Sequence, residues 1–260
     1  MRTMVLALAI VSATTFAQAQ TEKVVNIPSR GANIRALLSV PENPVGSVVL
    51  LAGGHGVLAI SPDGKIGWGA GNQLVRTRAA YARAGFATIV PDAASDMGTP
   101  QAPKNGYRYS APHGQDIGAV VAYMRGIKTP VALVGTSRGA VSAGIMLAHT
   151  SGSARPDMVV LTAPMLITFG DQPSFQKSMG NNPARAQLPF LVVGHRKDGC
   201  KYTQPASIDQ FRRWHGGKVD VVLLDGPEGR GDPCEAYGPH GFAGIDGEVV
   251  STVTGWIKGR

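Results

Sequence analysis

Ser137 stands in Gly135-Thr136-Ser137-Arg138-Gly139, between the apolar run Val131 to Val134 and the helical-looking stretch Ala140 to His149. A serine on such a strand-to-helix turn has its hydroxyl lifted clear of the sheet, with a helix N-terminus beneath it. The flanking glycines permit the close backbone approach that the turn requires. The chemistry this suits is nucleophilic attack on an acyl carbon. A serine hydroxyl is a weak nucleophile at neutral pH, so it needs a general base, normally His. A carboxylate must then fix the imidazole tautomer and stabilise the imidazolium. Backbone N–H donors must stand where the oxyanion forms. The competing explanation is a serine that merely caps a helix. In a chain with 34 glycines the five-residue pattern alone is only moderately specific.

Candidates for the acid and the base lie further along. Asp198 falls in Gly194-His195-Arg196-Lys197-Asp198-Gly199, just after the apolar run Phe190 to Val193; Asp171, after the preceding run, is the alternative acid. His240 falls in Tyr237-Gly238-Pro239-His240-Gly241-Phe242, ahead of the last helical stretch. Its competitors are His55, His113, His149, His195 and His215. Of these, His149 and His215 sit at predicted helix C-termini, where a histidine often only complements the dipole. His55 and His195 flank the candidate site. Residue types alone leave these alternatives open.

Loops that carry such groups need strands to hold them. Strand-like runs cover Lys23 to Ile27, Ile34 to Val40, Ser47 to Ala52, Ala87 to Val90, Val131 to Val134, Met158 to Thr162, Phe190 to Val193 and Val219 to Leu224. The first two read as a hairpin across Ser29 to Asn33, and the fourth is expected to stop at Pro91-Asp92. Helical spacing covers Leu74 to Ala84, His113 to Arg125, Ala140 to His149, Pro205 to Trp214 and Asp246 to Ile257. Strands alternating with helices imply an α/β class with a doubly wound, mostly parallel sheet. Residues 20–260 form one domain, with no repeat, low-complexity tract or linker. Three long loops follow the carboxyl ends of predicted strands, where open α/β sheets bind ligands.

The order Ser137, Asp198, His240, with this strand pattern, resembles the α/β-hydrolase superfamily over essentially the whole mature chain. The resemblance implies a sheet of about eight strands with little or no lid domain. It also implies a serine hydrolase acting on carboxylic esters through an acyl-enzyme, with neither metal nor organic cofactor. It places the oxyanion turn in Ala52-Gly53-Gly54-His55-Gly56. One donor is then the N–H of Gly54 or His55, and the other that of Arg138. Two rival functions remain open: an amidase or peptidase using the same triad, and a non-catalytic binding protein on the same fold.

The rest of the chain bounds the setting. Arg2, the apolar stretch Met4 to Phe16 and Ala17-Gln18-Ala19 read as a signal peptide cut after residue 19, hence a periplasmic or secreted protein. Cys200 and Cys234 can pair in an oxidising compartment. Their bond would tie the Asp198 loop to the His240 loop. The net charge of +8 is scattered, with no alternation of basic and aromatic residues, so nucleic acid is not an expected partner. No run of about 18 or more apolar residues crosses the body of the chain, so no integral membrane span is expected. A small-molecule or polymeric ester is the expected partner. Trp68, Tyr107, Tyr109 and Phe169, in loops on the predicted site side, are candidate pocket residues.

Overall fold

A computed structural model of the protein describes residues 21–168 and 170–260. The signal-peptide reading of residues 1–19 and the pocket assignment of Phe169 lie outside the described residues. In chain order the strands are β1 (Lys23–Ser29), β2 (Ala32–Ser39), β3 (Gly46–Leu51), β4 (Phe86–Ala94), β5 (Val131–Thr136), β6 (Met158–Thr162), β7 (Phe190–His195) and β8 (Asp220–Leu224). The helices are α1 (Gln73–Arg83), α2 (Ala111–Arg125), α3 (Gly139–His149), α4 (Phe175–Ser178), α5 (Ser207–His215) and α6 (Asp246–Lys258).

The eight strands form one sheet in the order β1-β2-β4-β3-β5-β6-β7-β8. β2 is antiparallel to both its neighbours, and the other pairs are parallel. Alternate residues of β5 explain why its whole length is apolar. Val131 and Leu133 join the core under α2, α3, α4 and α5, while Ala132 and Val134 join the core under α1 and α6. A strand covered by helices on both faces has no polar side to present. β1 and β2 are the expected hairpin, closed by Arg30 and Gly31, both at positive φ.

Two segments differ from the sequence expectation. β4 runs through Pro91 to Ala94 instead of stopping there. The pairing with β3 ends at Ile89, and the register against β2 shifts between Ile34 and Ala36, opposite Pro91. A proline, lacking an N–H, is tolerated where a ladder has ended or is irregular. Helix α2 begins at Ala111, with Ser110 as N-cap and Pro112 in the first turn, where a missing N–H costs nothing. Between β6 and β7 lies the short helix α4. Helix α4 buries Phe175 edge-on against Phe190 and Phe211, so this connection is part of the core.

Candidate active site

The site gathers at the carboxyl ends of β3, β5, β7 and β8. At the end of β5 the chain turns sharply into α3, and Ser137 takes φ 52°. That left-handed conformation is uncommon for a residue with a side chain and marks local strain. It is held by Ser137 N–H donating to Thr162 O (3.0 Å) and by Ser137 O accepting from Ala140 N (3.1 Å) and Met165 N (3.2 Å). The turn also needs its glycines: a Cβ on Gly135 would lie 2.8 Å from Gly139 O, and one on Gly139 would collide with Leu51 O.

Asp198 follows β7 and is buried. Its Oδ1 accepts from Cys200 N (2.9 Å), and its Oδ2 accepts from Thr203 Oγ1 (2.9 Å). His240, also buried, sits in a short turn before α6 with Nδ1 3.1 Å from Asp198 Oδ2 and 3.0 Å from Thr203 Oγ1. With the Thr203 hydroxyl donating to Asp198, the His240 Nδ1–H is shared between the carboxylate and the Thr203 oxygen. That fixes Nδ1–H as the tautomer and leaves Nε2 as the basic nitrogen. Asp171 is exposed, and Asp198 is the acid that meets His240. Ser137 and His240 line the same cleft of about 350 Å³, with Gly54, Trp68, Glu235 and Tyr237 also in its wall. Among the described residues no hydrogen bond links Ser137 to His240; such contacts commonly tighten only when substrate binds.

The disulfide Cys200–Cys234 is formed, with Cα atoms 4.6 Å apart. It joins the loop of Asp198 to the loop of His240, as the sequence led us to expect. A second tie comes from α1. Arg76 donates to Gly71 O, Ala236 O (3.0 Å) and Gly241 O, and forms a two-pronged pair with Asp246. The His240 turn is thus fixed from both sides.

The Gly53 to Gly56 turn follows β3. The N–H groups of Gly54, His55 and Arg138 have no acceptor among the described residues. This is the condition a set of oxyanion donors must meet. Gly54 lines the Ser137 cleft, whereas His55 faces a neighbouring one. The His55 ring stacks on Trp68 (centroids 3.6 Å apart), and its Nδ1 accepts from Val57 N. Burial, then the charges of Arg108 and Arg138, lower its pKa, so His55 is a neutral wall residue.

Sequence reasoning missed Arg108 and Thr203. Arg108 is buried and, among the described residues, its guanidinium has no carboxylate partner. It donates to Ala52 O (2.7 Å), Gly53 O (3.3 Å) and His55 O (3.0 Å) on the turn. It also donates to Arg138 O (3.0 Å) and to Ser142 Oγ (2.8 Å) in α3. One side chain therefore clamps both stretches that supply the candidate oxyanion donors. A Cβ on Gly56 would collide with it, which explains that glycine. A peptide plane sets N–H opposite C=O. With Gly53 O turned to Arg108, the Gly54 N–H points away from the clamp.

Tyr107 lines the neighbouring cleft and not that of Ser137; it is buried, and its hydroxyl donates to His55 O, bracing the same turn. The position beside the site was legible, but a tyrosine in a loop does not announce whether it lines a pocket or ties a backbone. Trp68 does line the cleft, and Tyr109 lines the neighbouring one. The remaining histidines are committed elsewhere. His113 Nε2 bonds Ser142 Oγ (2.8 Å), His195 Nδ1 accepts from Lys197 N, and His215 Nε2 bonds Ala186 O; His149 is exposed.

No family model and no curated protein matches the sequence. Solved structures do match. A dienelactone hydrolase from Anabaena variabilis is similar over 93% of this chain and 98% of its own, with TM-score 0.63 and 14% identity. A cold-adapted esterase from an Arctic intertidal metagenomic library matches over 97% and 99%, with TM-score 0.62 and 12% identity. An alpha-beta serine hydrolase homologue from Coxiella burnetii matches over 92% and 98%, with TM-score 0.60 and 16% identity. At these identities the likeness establishes the fold, that of the α/β-hydrolases.

Proposed function

We propose that this chain, an α/β-hydrolase by fold, is a serine hydrolase that cleaves carboxylic esters. One observation carries the reading. Ser137, on a strained turn, shares a cleft with His240, whose Nδ1 is tied to buried Asp198. A non-catalytic protein on this fold has no need to bury that pair behind a serine at positive φ.

In this reading Ser137 Oγ attacks the ester carbonyl carbon while His240 Nε2 takes its proton. The carbonyl oxygen becomes an oxyanion facing the N–H groups of Gly54 and Arg138. Collapse expels the alcohol, which leaves with the proton from His240, and an acyl-Ser137 ester remains. Water, deprotonated by His240, adds to that ester; the acid departs and the Ser137 hydroxyl is restored. Asp198 orients His240 and stabilises the imidazolium. The fold relatives named esterase and dienelactone hydrolase support ester chemistry. Export is proposed on the residue pattern 1–19, and the Cys200–Cys234 bond supports it.

A fluorophosphonate probe tests the reading. Wild-type protein is expected to be labelled once, at Ser137, with labelling lost in Ser137→Ala. Equal labelling of the two proteins, or none of the wild type with no hydrolysis of para-nitrophenyl esters, overturns it.

A further inference from the structure

A second cleft of about 340 Å³ opens on the other flank of the same turns. It is lined by His55 and Arg138, the chain neighbours of Gly54 and Ser137, and by Lys104, Tyr107 and Tyr109. The two clefts thus share the oxyanion turn and the serine turn as a common rim. Their charges differ. Among the described residues the Ser137 cleft has Glu235 and no lysine or arginine in its wall. Among the described residues the second cleft has Lys104, Arg138 and the edge of Arg108, and no carboxylate.

Neither Lys104 nor the Arg138 guanidinium has a hydrogen-bond or ion-pair partner among the described residues. Asp96, which feels the Lys104 charge, is held by both Nη atoms of Arg30 and does not line the cleft. Arg108 spends its donors on carbonyls and Ser142. Arg138 is therefore a half-buried residue with its planar fork of donors unused among the described residues. A fork of that kind fits a carboxylate two-pronged.

We propose that the second cleft is an anion subsite, and that the ester turned over at Ser137 carries a carboxylate held by Arg138 with Lys104 beside it. Adjacent residues are only about 3.8 Å apart along the backbone. The substrate class to test is small carboxylated esters, such as half-esters of small dicarboxylic acids or esters of small carboxylated alcohols and phenols. The proposal rests on the ester-hydrolase reading and names its substrate class.

The test uses two matched pairs. One is para-nitrophenyl hydrogen glutarate against para-nitrophenyl pentanoate, with the charge on the acyl side. The other is meta-acetoxybenzoate against meta-acetoxybenzamide, with the charge on the leaving group. The expected result is a kcat/KM preference of about tenfold or more for the carboxylate member of at least one pair. That preference should shrink with added salt and collapse in Arg138→Gln with Lys104→Gln. Because the readout is a ratio within a pair, a general loss of activity in the variants does not mimic it. Neutral esters hydrolysed with no carboxylate preference, or a preference the double substitution leaves intact, overturns the subsite while leaving the hydrolase reading standing. If no ester is hydrolysed, the hydrolase reading fails. Calorimetry with glutarate then decides the subsite: binding lost in the double variant supports it, and no binding overturns it.

Discussion

Replacing Arg108 with Met removes five donated hydrogen bonds at once, three on the oxyanion turn and two on the start of α3. Hydrogen bonds from a charged group contribute about 1.5–3 kcal/mol each, but these are not additive. A guanidinium buried without a carboxylate also carries a desolvation cost of several kcal/mol, and that cost vanishes with the substitution. The same cost is why burial lowers the Arg108 pKa. The two effects oppose each other, so the expected net loss of stability is modest, about 2–4 kcal/mol. The expected loss of turnover is larger in proportion. With the clamp gone, Gly54 N–H and Arg138 N–H are no longer held in mutual register, and losing one such donor costs about 10²–10³ in kcat. Ground-state binding does not use those donors, so KM should change by less than about threefold. Steady-state kinetics on a neutral para-nitrophenyl ester, beside urea denaturation, separates the two effects. Arg108→Lys keeps a charge but not the fork, and should fall between wild type and Met. A folded Arg108→Met with kcat within about threefold of wild type would refute the clamp.

Thr203→Val should lower kcat by about tenfold through a loosened Asp198–His240 pair, and Thr203→Ser should restore most of it; equal kinetics in Val and Ser variants would show the hydroxyl to be idle. Loss of the disulfide in Cys200→Ser with Cys234→Ser should remove about 3–4 kcal/mol of stability, from the chain-entropy argument for a 34-residue separation. Urea titrations of the pair with and without reductant check it, and an unchanged midpoint would contradict it. His113 is pushed down to about 3 by burial and by the charges of Arg108 and Arg30, against about 6.5 unfolded. The unfolded chain therefore binds the extra proton, and stability is intact above pH 6.5 and falls as pH drops from there toward 3. At pH 4.5 this amounts to about 3 kcal/mol. The decline between pH 7.5 and 4.5 should be smaller by that order in His113→Gln, and parallel declines would rule it out.

The parts of the site that were legible are those set by chain order. Ser137 was found because a glycine-flanked serine joined an apolar run to a helical one, and Asp198 and His240 because they follow strands in the expected sequence. The doubly wound sheet was legible for the same reason: continuous apolar runs fit strands buried on both faces. Arg108 and Thr203 were not, for physical reasons. The acceptors of Arg108 are main-chain carbonyls, so no acidic residue at a matching spacing points to it. Thr203 reaches Asp198 through the shape of an irregular loop, and threonines in loops are too common to single out. The strand through Pro91 was hidden because its tolerance depends on where β3 stops pairing, which is a fact about a neighbour and not about the segment.

Four of the five acceptors of Arg108 belong to the backbone, and the fifth is Ser142 on α3. The candidate oxyanion turn is therefore held mainly through its peptide groups, with the His55 ring adding one bond from Val57 N. Its shape and its chemistry are separable: position 55 can be exchanged to reshape the wall between the two clefts while the main chain keeps its place. The residue that must not drift sits about fifty positions away in sequence. In a laboratory evolution of this protein, variation would accumulate at 55 and 68, which line the two clefts, while Arg108 and Gly56 stayed fixed.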